Sequence, residues 1–465
     1  MPAPFILNTG ALIASLHQEG LLERAFHDPL LERLIFRDEA FKEEAEGNLG
    51  TTIFMTRRGL LPAVTTPTRA TDGEPQPQIL TYEQWLSTLQ RYNGALDTSV
   101  SESRHALADK LRSNIQALGV QAGQSINLIA RNGLYAPYCG GNTVTIDAAA
   151  APDTTIHVAS LSGFRFVVLR GQNVAPAQVS TSFPLSVTIA GVTGPRNVIG
   201  AAPDDPLDPD GPGILTLSAA LGAVVAARAA VLAFNRPEII RAGGGTSVDA
   251  IGASDILSPA DVIAAVTSLR QDRVEPHDDG YYHVHVPPLG EGQLFSDSGF
   301  QRLNTALPDS VRYQKLAIST LYGAVWYSNP ACPDDSSSGD LVQTGTNAFY
   351  SRDIHAETVN NSGVRVGRAI VTGKGTIYER WFDSKQYVSE VGITGQQGDF
   401  AGLQNNGVEI NTDGFRLIVL APIDRLADKV RKTWDYVGDF PAPSDVAAGS
   451  PRHYKRSRVI EFALT

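Results

Sequence analysis

The sequence predicts an α+β protein built from several parts, with a β-rich block at residues 143–236 set into a larger body. Three observations lead there. Leu107, Leu111, Ile115, Leu118, Ala122, Ile126 and Ile129 recur at spacings of three and four, the period of one helix face. Short β-type runs, each bounded by Gly, Pro or Asp, fill residues 143–236. The remaining chain mixes helices and strands without the regular alternation that a doubly wound parallel sheet requires.

At 465 residues the chain is longer than one core usually serves, so two or three folding units are expected. Hydrophobic residues at 42% and charged residues at 19% are ordinary for a folded protein, and 43 Gly with 28 Pro predict many turns and extended segments. The net charge of −11 excludes a broad basic surface that grips nucleic acid through its phosphates. Two cysteines, Cys139 and Cys332, are too few for a disulfide framework and fit a reducing compartment. The opening MPAPFILNTGALIASLHQEG lacks the basic region and cleavage site of a signal peptide, and the longest apolar stretch, Ile214 to Asn235, contains Arg228. A soluble, cytoplasmically made protein without membrane contact is expected.

Taken in order, the first fifty residues read as short amphipathic helices, with Asp28-Pro29 as cap and first residue of a helix carrying Leu30, Leu31, Leu34 and Ile35. Gly50 to Leu80 turns to β-branched and turn residues, TTIFMT and then PAVTTPTRATDGEPQPQI, a long extended hairpin with little core of its own. The helix from about Ser101 to Asn132 would be roughly 45 Å long, with Gly119 and Gly123 as the positions where it would break into a pair if it broke. In 143–236, TVTID, TIHVAS, FRFVVLR, LSVTIAG, ILTLSAAL and VVAARAAVLAF predict six or seven strands in a small sandwich. Ser258-Pro259-Ala260-Asp261 opens a helix, YYHVHV is a strand ended by Pro287-Pro288, and FRLIVLAP and VIEFAL are later strands.

Candidate chemistry is thin. Gly243-Gly244-Gly245 and Gly373-Lys374-Gly375 imitate phosphate loops but lack the residues that complete one, so plain turns are preferred. His283 and His285 alternate on one strand face with His277 nearby, an arrangement open to a metal or to ordinary hydrogen bonding, the second being favoured. Asp204, Asp205, Asp208 and Asp210 crowd the loop PDDPLDPDG, but Pro206 and Pro209 interrupt the alternate-ligand pattern of a calcium loop and no Glu closes it. No nucleophile elbow or zinc-protease motif occurs, and the expectation is a non-enzymatic protein with no catalytic, cofactor-binding or metal residues.

The stretches DPLLERLIFRDEAF, GTTIFMTRRGLLP, RYNGALDTSVSES, PEIIRAGGG, DILSPADVIAAVTSLRQDRVEPHDDGYYHVHVPP and YKRSRVIEFA, in that order, resemble the major capsid proteins of tailed bacteriophages, which share a shell fold with herpesviruses. The resemblance is to the podophage N-four type. It implies an N-terminal arm at 1–49, an extended loop with flanking strands at 50–95, a spine helix and peripheral domain at 96–142, an inserted immunoglobulin-like β-sandwich at 143–236, and peripheral and axial domains with the C-terminal segment at 237–465. It further implies self-assembly into pentamers and hexamers of an icosahedral head enclosing double-stranded DNA without sequence-specific binding. Assembly in the host cytoplasm, residence in the virion, a separate scaffolding protein, a portal and room for a decoration protein follow from the same resemblance. Some such proteins cross-link through a lysine on the extended loop, but no lysine lies between Lys42 and Lys110. The alternative is a β-rich phage tail or surface module that binds glycan through 143–236, and a further one a hydrolase around His277, His283 and His285.

Overall fold

The computed structural model of the protein describes residues 21–31, 34–44, 52–58, 61, 63–65, 77–78, 80, 82–99, 107–167, 176–234, 236–298, 300–301, 320–333, 350–351, 353–382, 407–412, 414–420, 429–443 and 455–464. They fall into two compact units. No helix among them is long and apolar enough to cross a membrane.

The first unit comprises Met1–Ile53, Ser87–Ala130 and Tyr378–Pro441. Its sheet runs in the order 41–44, 378–381, 429–439, 415–420, 407–412, and Gln90–Ser99 pairs with Lys429–Asp439 as well. The long strand Lys429–Asp439 buries Val430, Lys432, Trp434 and Tyr436 while leaving Lys429 and Arg431 exposed, the alternation of a strand with one covered face. Helix α1, Leu21–Leu31, buries Ala25, Phe26 and Leu30. Asp28-Pro29 therefore does not open a helix as the sequence suggested. The buried face begins before the proline, and Pro29 lies inside the helix, which forgoes the one backbone bond its N–H would have made.

Helix α2, Leu107–Cys139, is one continuous element of 33 residues, about 50 Å long. It passes through Gly119 and Gly123 unbroken and extends beyond the expected end at Asn132. Ile115, Leu118, Ala122 and Ile126 are buried, as their spacing predicted. Gly119 has a packing reason: a Cβ there would lie 2.5 Å from the Phe26 carbonyl oxygen, so its absence lets α1 cross against bare backbone. A Gly119→Ala variant gains about 1 kcal/mol of helix propensity. It also places a carbon against a backbone atom that no rotamer change can clear, and overpacking of this kind typically costs about 1–3 kcal/mol. The expected net result is a lower thermal midpoint, and an unchanged or raised midpoint would refute the close approach.

The entry segment of this unit is pinned by polar contacts. The Phe36 N–H donates to Asn127 Oδ1 on α2 at 2.8 Å. The buried Arg37 guanidinium donates to Glu379 at 2.7 Å and lies 5.1 Å from the centre of the Phe415 ring, while the Tyr436 hydroxyl donates to the same Glu379 oxygen at 2.8 Å. Burial, followed by the Glu379 charge, holds the Tyr436 phenol well above its ordinary pKa.

The second unit comprises Phe54–Leu86, Arg131–Ile377 and Ala442–Thr465. Its main sheet has the order 239–241, 457–463, 366–372, 282–286, 324–328, 320–321. Val366–Thr372 and Ser457–Ala463 are buried at every residue and pair antiparallel at the centre. Helix α3, Pro259–Gln271, opens with a reciprocal capping box between Ser258 and Asp261, and packs Val262, Val266 and Leu269 into a core with Val284, Val371, Ile460 and Phe462. Helix α4, Pro288–Ser296, follows the histidine-bearing strand Tyr282–Val286.

The inserted block departs from the expected sandwich of two facing sheets. Six of its strands form one antiparallel sheet in the order 142–144, 230–233, 185–189, 196–203, 213–217, 155–158, while Phe166–Val167 and Ala177–Gln178 pair as a separate two-stranded ribbon. The two end strands then meet: the Ala159 N–H donates to the Val144 carbonyl and the Ile146 N–H to the His157 carbonyl, both at 2.9 Å. The result is a closed barrel whose interior is filled by Ile156, Val158, Leu185, Val187, Ile189, Val198, Leu215, Leu217 and Val231. Closure removes the exposed edges that a small open sheet would have to protect.

Candidate functional site

The glycine motifs are turns. Gly243 has φ of 79° and a Cβ there would meet the Asp255 carboxylate at 2.6 Å, while that carboxylate accepts the Gly252 N–H at 2.8 Å. The Gly373 N–H donates to the Arg456 carbonyl at 2.8 Å, and Lys374 pairs with Asp278 at 2.5 Å. His277 and His283 stack face to face at 3.9 Å, with His277 against the Thr372 hydroxyl and His283 against Asp279 at 3.0 Å. His285 is fully buried and stacks on Tyr327 at 5.1 Å. The four aspartates of the loop at 203–212 each have a different partner. Asp204 meets His157, Asp205 accepts the Leu207 N–H, Asp208 lies 3.7 Å from His355, and Asp210 pairs with Arg165 at 2.9 Å. They diverge rather than converge on one point, which suits a turn and not a calcium loop.

The most concentrated chemistry among the described residues is a buried ionic chain in the second unit. Glu461 lies on the strand Ser457–Ala463, directly opposite Arg241 on one neighbouring strand and Arg368 on the other. It accepts from Arg241 Nε at 2.9 Å and from Arg368 Nε at 3.0 Å, and all three side chains are buried. Burial alone would raise the pKa of Glu461, but the two guanidinium groups outweigh it and hold the carboxyl below its usual value. Arg368 also donates to the Glu357 carbonyl. The Glu357 carboxylate in turn receives two donors of Arg228, whose other face grips Asp249 at 2.8 and 2.6 Å. Arg228 belongs to the inserted barrel and has φ of 66°, an uncommon conformation for a non-glycine residue. Its two bidentate pairs fasten the barrel to Val248–Ala250 and Ala356–Glu357 of the same unit.

A cavity of about 40 Å³ lies beside this chain, lined by Cys139, Ser160, Arg241, Glu357, Arg368 and Glu461 among others. That is a volume for a few waters, well short of a substrate pocket. Cys139 faces it as an inert thiol: burial pushes its pKa up to about 12.

The other candidate is a surface. Thr52–Arg58 and Tyr82–Thr88 pair as a two-stranded ribbon. The Thr52 and Thr88 hydroxyls meet at 3.3 Å, and Gln84 donates to the Thr56 hydroxyl at 3.3 Å. These contacts set an antiparallel register in which Phe54 stands opposite Leu86. Both belong to the second unit, and both are exposed, at 57% and 50%. On the other face Met55 and Trp85 are buried, with the Arg57 guanidinium 5.9 Å from the Trp85 ring centre. Of the predicted hairpin, most of residues 59–81 lies outside the described residues.

Sequence reasoning passed over Arg228, Arg241, Arg368, Glu461 and His157. A signal did exist for two of them. Glu461 interrupts the apolar run VIEFA and Arg368 the run VGRAIV, and a charge inside a buried strand demands an opposite partner.

No protein-family model matches the chain, and no curated protein matches it. Among solved structures it is similar to a chain of the cyanophage Pam1 capsid asymmetric unit, with 10% identity, a TM-score of 0.46 and coverage of 92% of this chain and 89% of that one. It is similar to the capsid of Ralstonia phage GP4 at 10% identity and a TM-score of 0.45, covering 92% and 90%. A third similarity is to the head of Helicobacter pylori bacteriophage KHP40, at 7% identity and a TM-score of 0.46, covering 91% and 88%.

Proposed function

We propose that the chain is a major capsid protein of a tailed bacteriophage, assembling with copies of itself into the icosahedral head that encloses the DNA. The observation that carries this reading is the succession along the chain of an extended ribbon, one uninterrupted helix of 33 residues and an inserted β domain, the order implied by the sequence resemblance. In this reading the segment through Glu44 belongs to the arm, 52–58 with 82–88 to the extended loop, α2 is the spine, and 237–465 supplies the peripheral and axial parts.

The physical logic supports assembly over catalysis. A two-stranded ribbon is at best marginally stable alone, and one that shows Phe54 and Leu86 to solvent gains most when a neighbour covers them. Contacts of modest strength, repeated around rings of five and six, then close a shell cooperatively. A net charge of −11 suits a wall that contains DNA without holding it. The inserted barrel fits reinforcement: its interior is filled by apolar side chains and Arg228 fixes it to the body. A scaffolding protein and a portal are the partners this role calls for, with room for a decoration protein on the outside.

Expression of the chain alone and together with its neighbouring genes, followed by negative-stain electron microscopy, tests the reading. Shells, or rings of five and six, are the expected outcome. Monodisperse small particles under every condition would overturn it.

A further inference from the structure

His157 stands on an outward position of the inserted barrel with a carboxylate at each ring nitrogen. Its Nδ1 is 2.9 Å from Asp147 Oδ2, and its Nε2 is 2.7 Å from Asp204 Oδ2. A neutral imidazole carries one N–H and can satisfy only one of these acceptors, so two short contacts to carboxylates call for the imidazolium form. The three residues come from separate segments: His157 from the strand 155–158, Asp147 from the chain just after 142–146, and Asp204 from the loop after 196–203. We propose that His157 is a proton-loaded latch that holds the loop at 203–212 against the barrel and releases it when the proton is lost.

The surroundings leave the latch to these groups. Ile214 on one adjoining strand and Ile146 on the other stand beside His157, and neither titrates. Asp147 and Asp204 are the charges that act on His157, while the other loop carboxylates are engaged elsewhere. Asp208 faces His355 at 3.7 Å, Asp210 is paired with Arg165, and Asp205 accepts a backbone N–H within the loop. Leu207, 83% exposed at the loop's tip, contributes little apolar burial to hold the loop down. Partial burial lowers the pKa of His157, but the two carboxylates more than compensate and set it above the ordinary 6.5. Because the folded value is the raised one, the latch is fully set below the ordinary imidazole pKa and is lost as pH climbs through the folded value.

Hydrogen–deuterium exchange of the full chain, read by mass spectrometry at about pH 6 and about pH 9 and corrected for intrinsic rates, tests this directly. In the wild type, segments 145–158 and 203–212 are expected to exchange several-fold faster at the higher pH, while the barrel strand 185–189 stays equally protected. In His157→Gln, exchange of both segments is expected to be fast at both values. Asp204→Asn, which keeps the histidine and removes one carboxylate, is expected to give a smaller pH difference and serves if the first variant does not fold. A wild type with no pH difference in these segments overturns the latch. So does a His157→Gln protein that keeps the full difference, which would assign the effect to His355.

Discussion

Replacing Glu461 by alanine is expected to destabilise the second unit by about 3–5 kcal/mol, the largest effect of any single substitution considered among its described side chains. The reason is what the change leaves behind. Arg241 and Arg368 are buried on strands either side of the missing carboxylate, with only a cavity of about 40 Å³ beside them. Two guanidinium groups would be stranded in a low dielectric with their principal counter-ion gone. Glu461→Gln, which keeps the shape and an accepting oxygen, should lose less. The pH dependence has a defined sign. Because the folded carboxyl titrates below its ordinary value of 4.5, the stabilisation is present above that value and disappears as pH falls through the lowered one. Thermal unfolding followed from neutral pH to about pH 3 should show this acid-sensitive component in the wild type and its reduction in Glu461→Gln. An alanine variant that melts with the wild type would mean that the ionic chain is not what organises this sheet.

That triad also marks how far local pattern carries a fold. Helix α2 was legible because its apolar spacing repeats over about six turns, and the strands at 282–286, 415–420 and 457–463 were legible because each is a dense run of β-branched and aromatic residues. The strand Arg196–Pro203 was not foreseen. It carries only Val198 and Ile199 as β-branched residues, and Gly200 sits at a register shift against the next strand. The start of α1 was misplaced because Pro29 is a stronger local sign than the scattered Ala25, Phe26 and Leu30. Whether six strands make a sandwich or a closed barrel is decided by a few bonds between residues 144–146 and 157–159, and no periodicity records which end strands will meet. Likewise Glu461 and Arg241 are 220 positions apart, so their pairing depends on register between strands rather than on anything near either residue. The ribbon was visible as TTIFMT, but its exposed cross-strand pair needed Leu86, which lies beyond the expected hairpin.

Removing that pair is the sharpest test of assembly. In a Phe54→Thr, Leu86→Thr double variant the ribbon keeps residues that favour strands, and a Thr–Thr pair at facing positions remains a good match. Because both side chains are already exposed in the subunit, at 57% and 50%, the folded monomer should keep its thermal midpoint. The loss should appear only between subunits. Burying the exposed half of a Phe and of a Leu against a neighbour is worth about 1–1.5 kcal/mol each, so every intersubunit contact would weaken by about thirtyfold or more. Around a closed ring that weakening recurs at each junction, and the expected result by sedimentation and electron microscopy is soluble, folded subunits at concentrations where the wild type forms shells. Shells of normal size and yield from the double variant would show that the ribbon face is not an assembly contact. Subunits that melt early would instead place the two side chains inside the monomer's own packing.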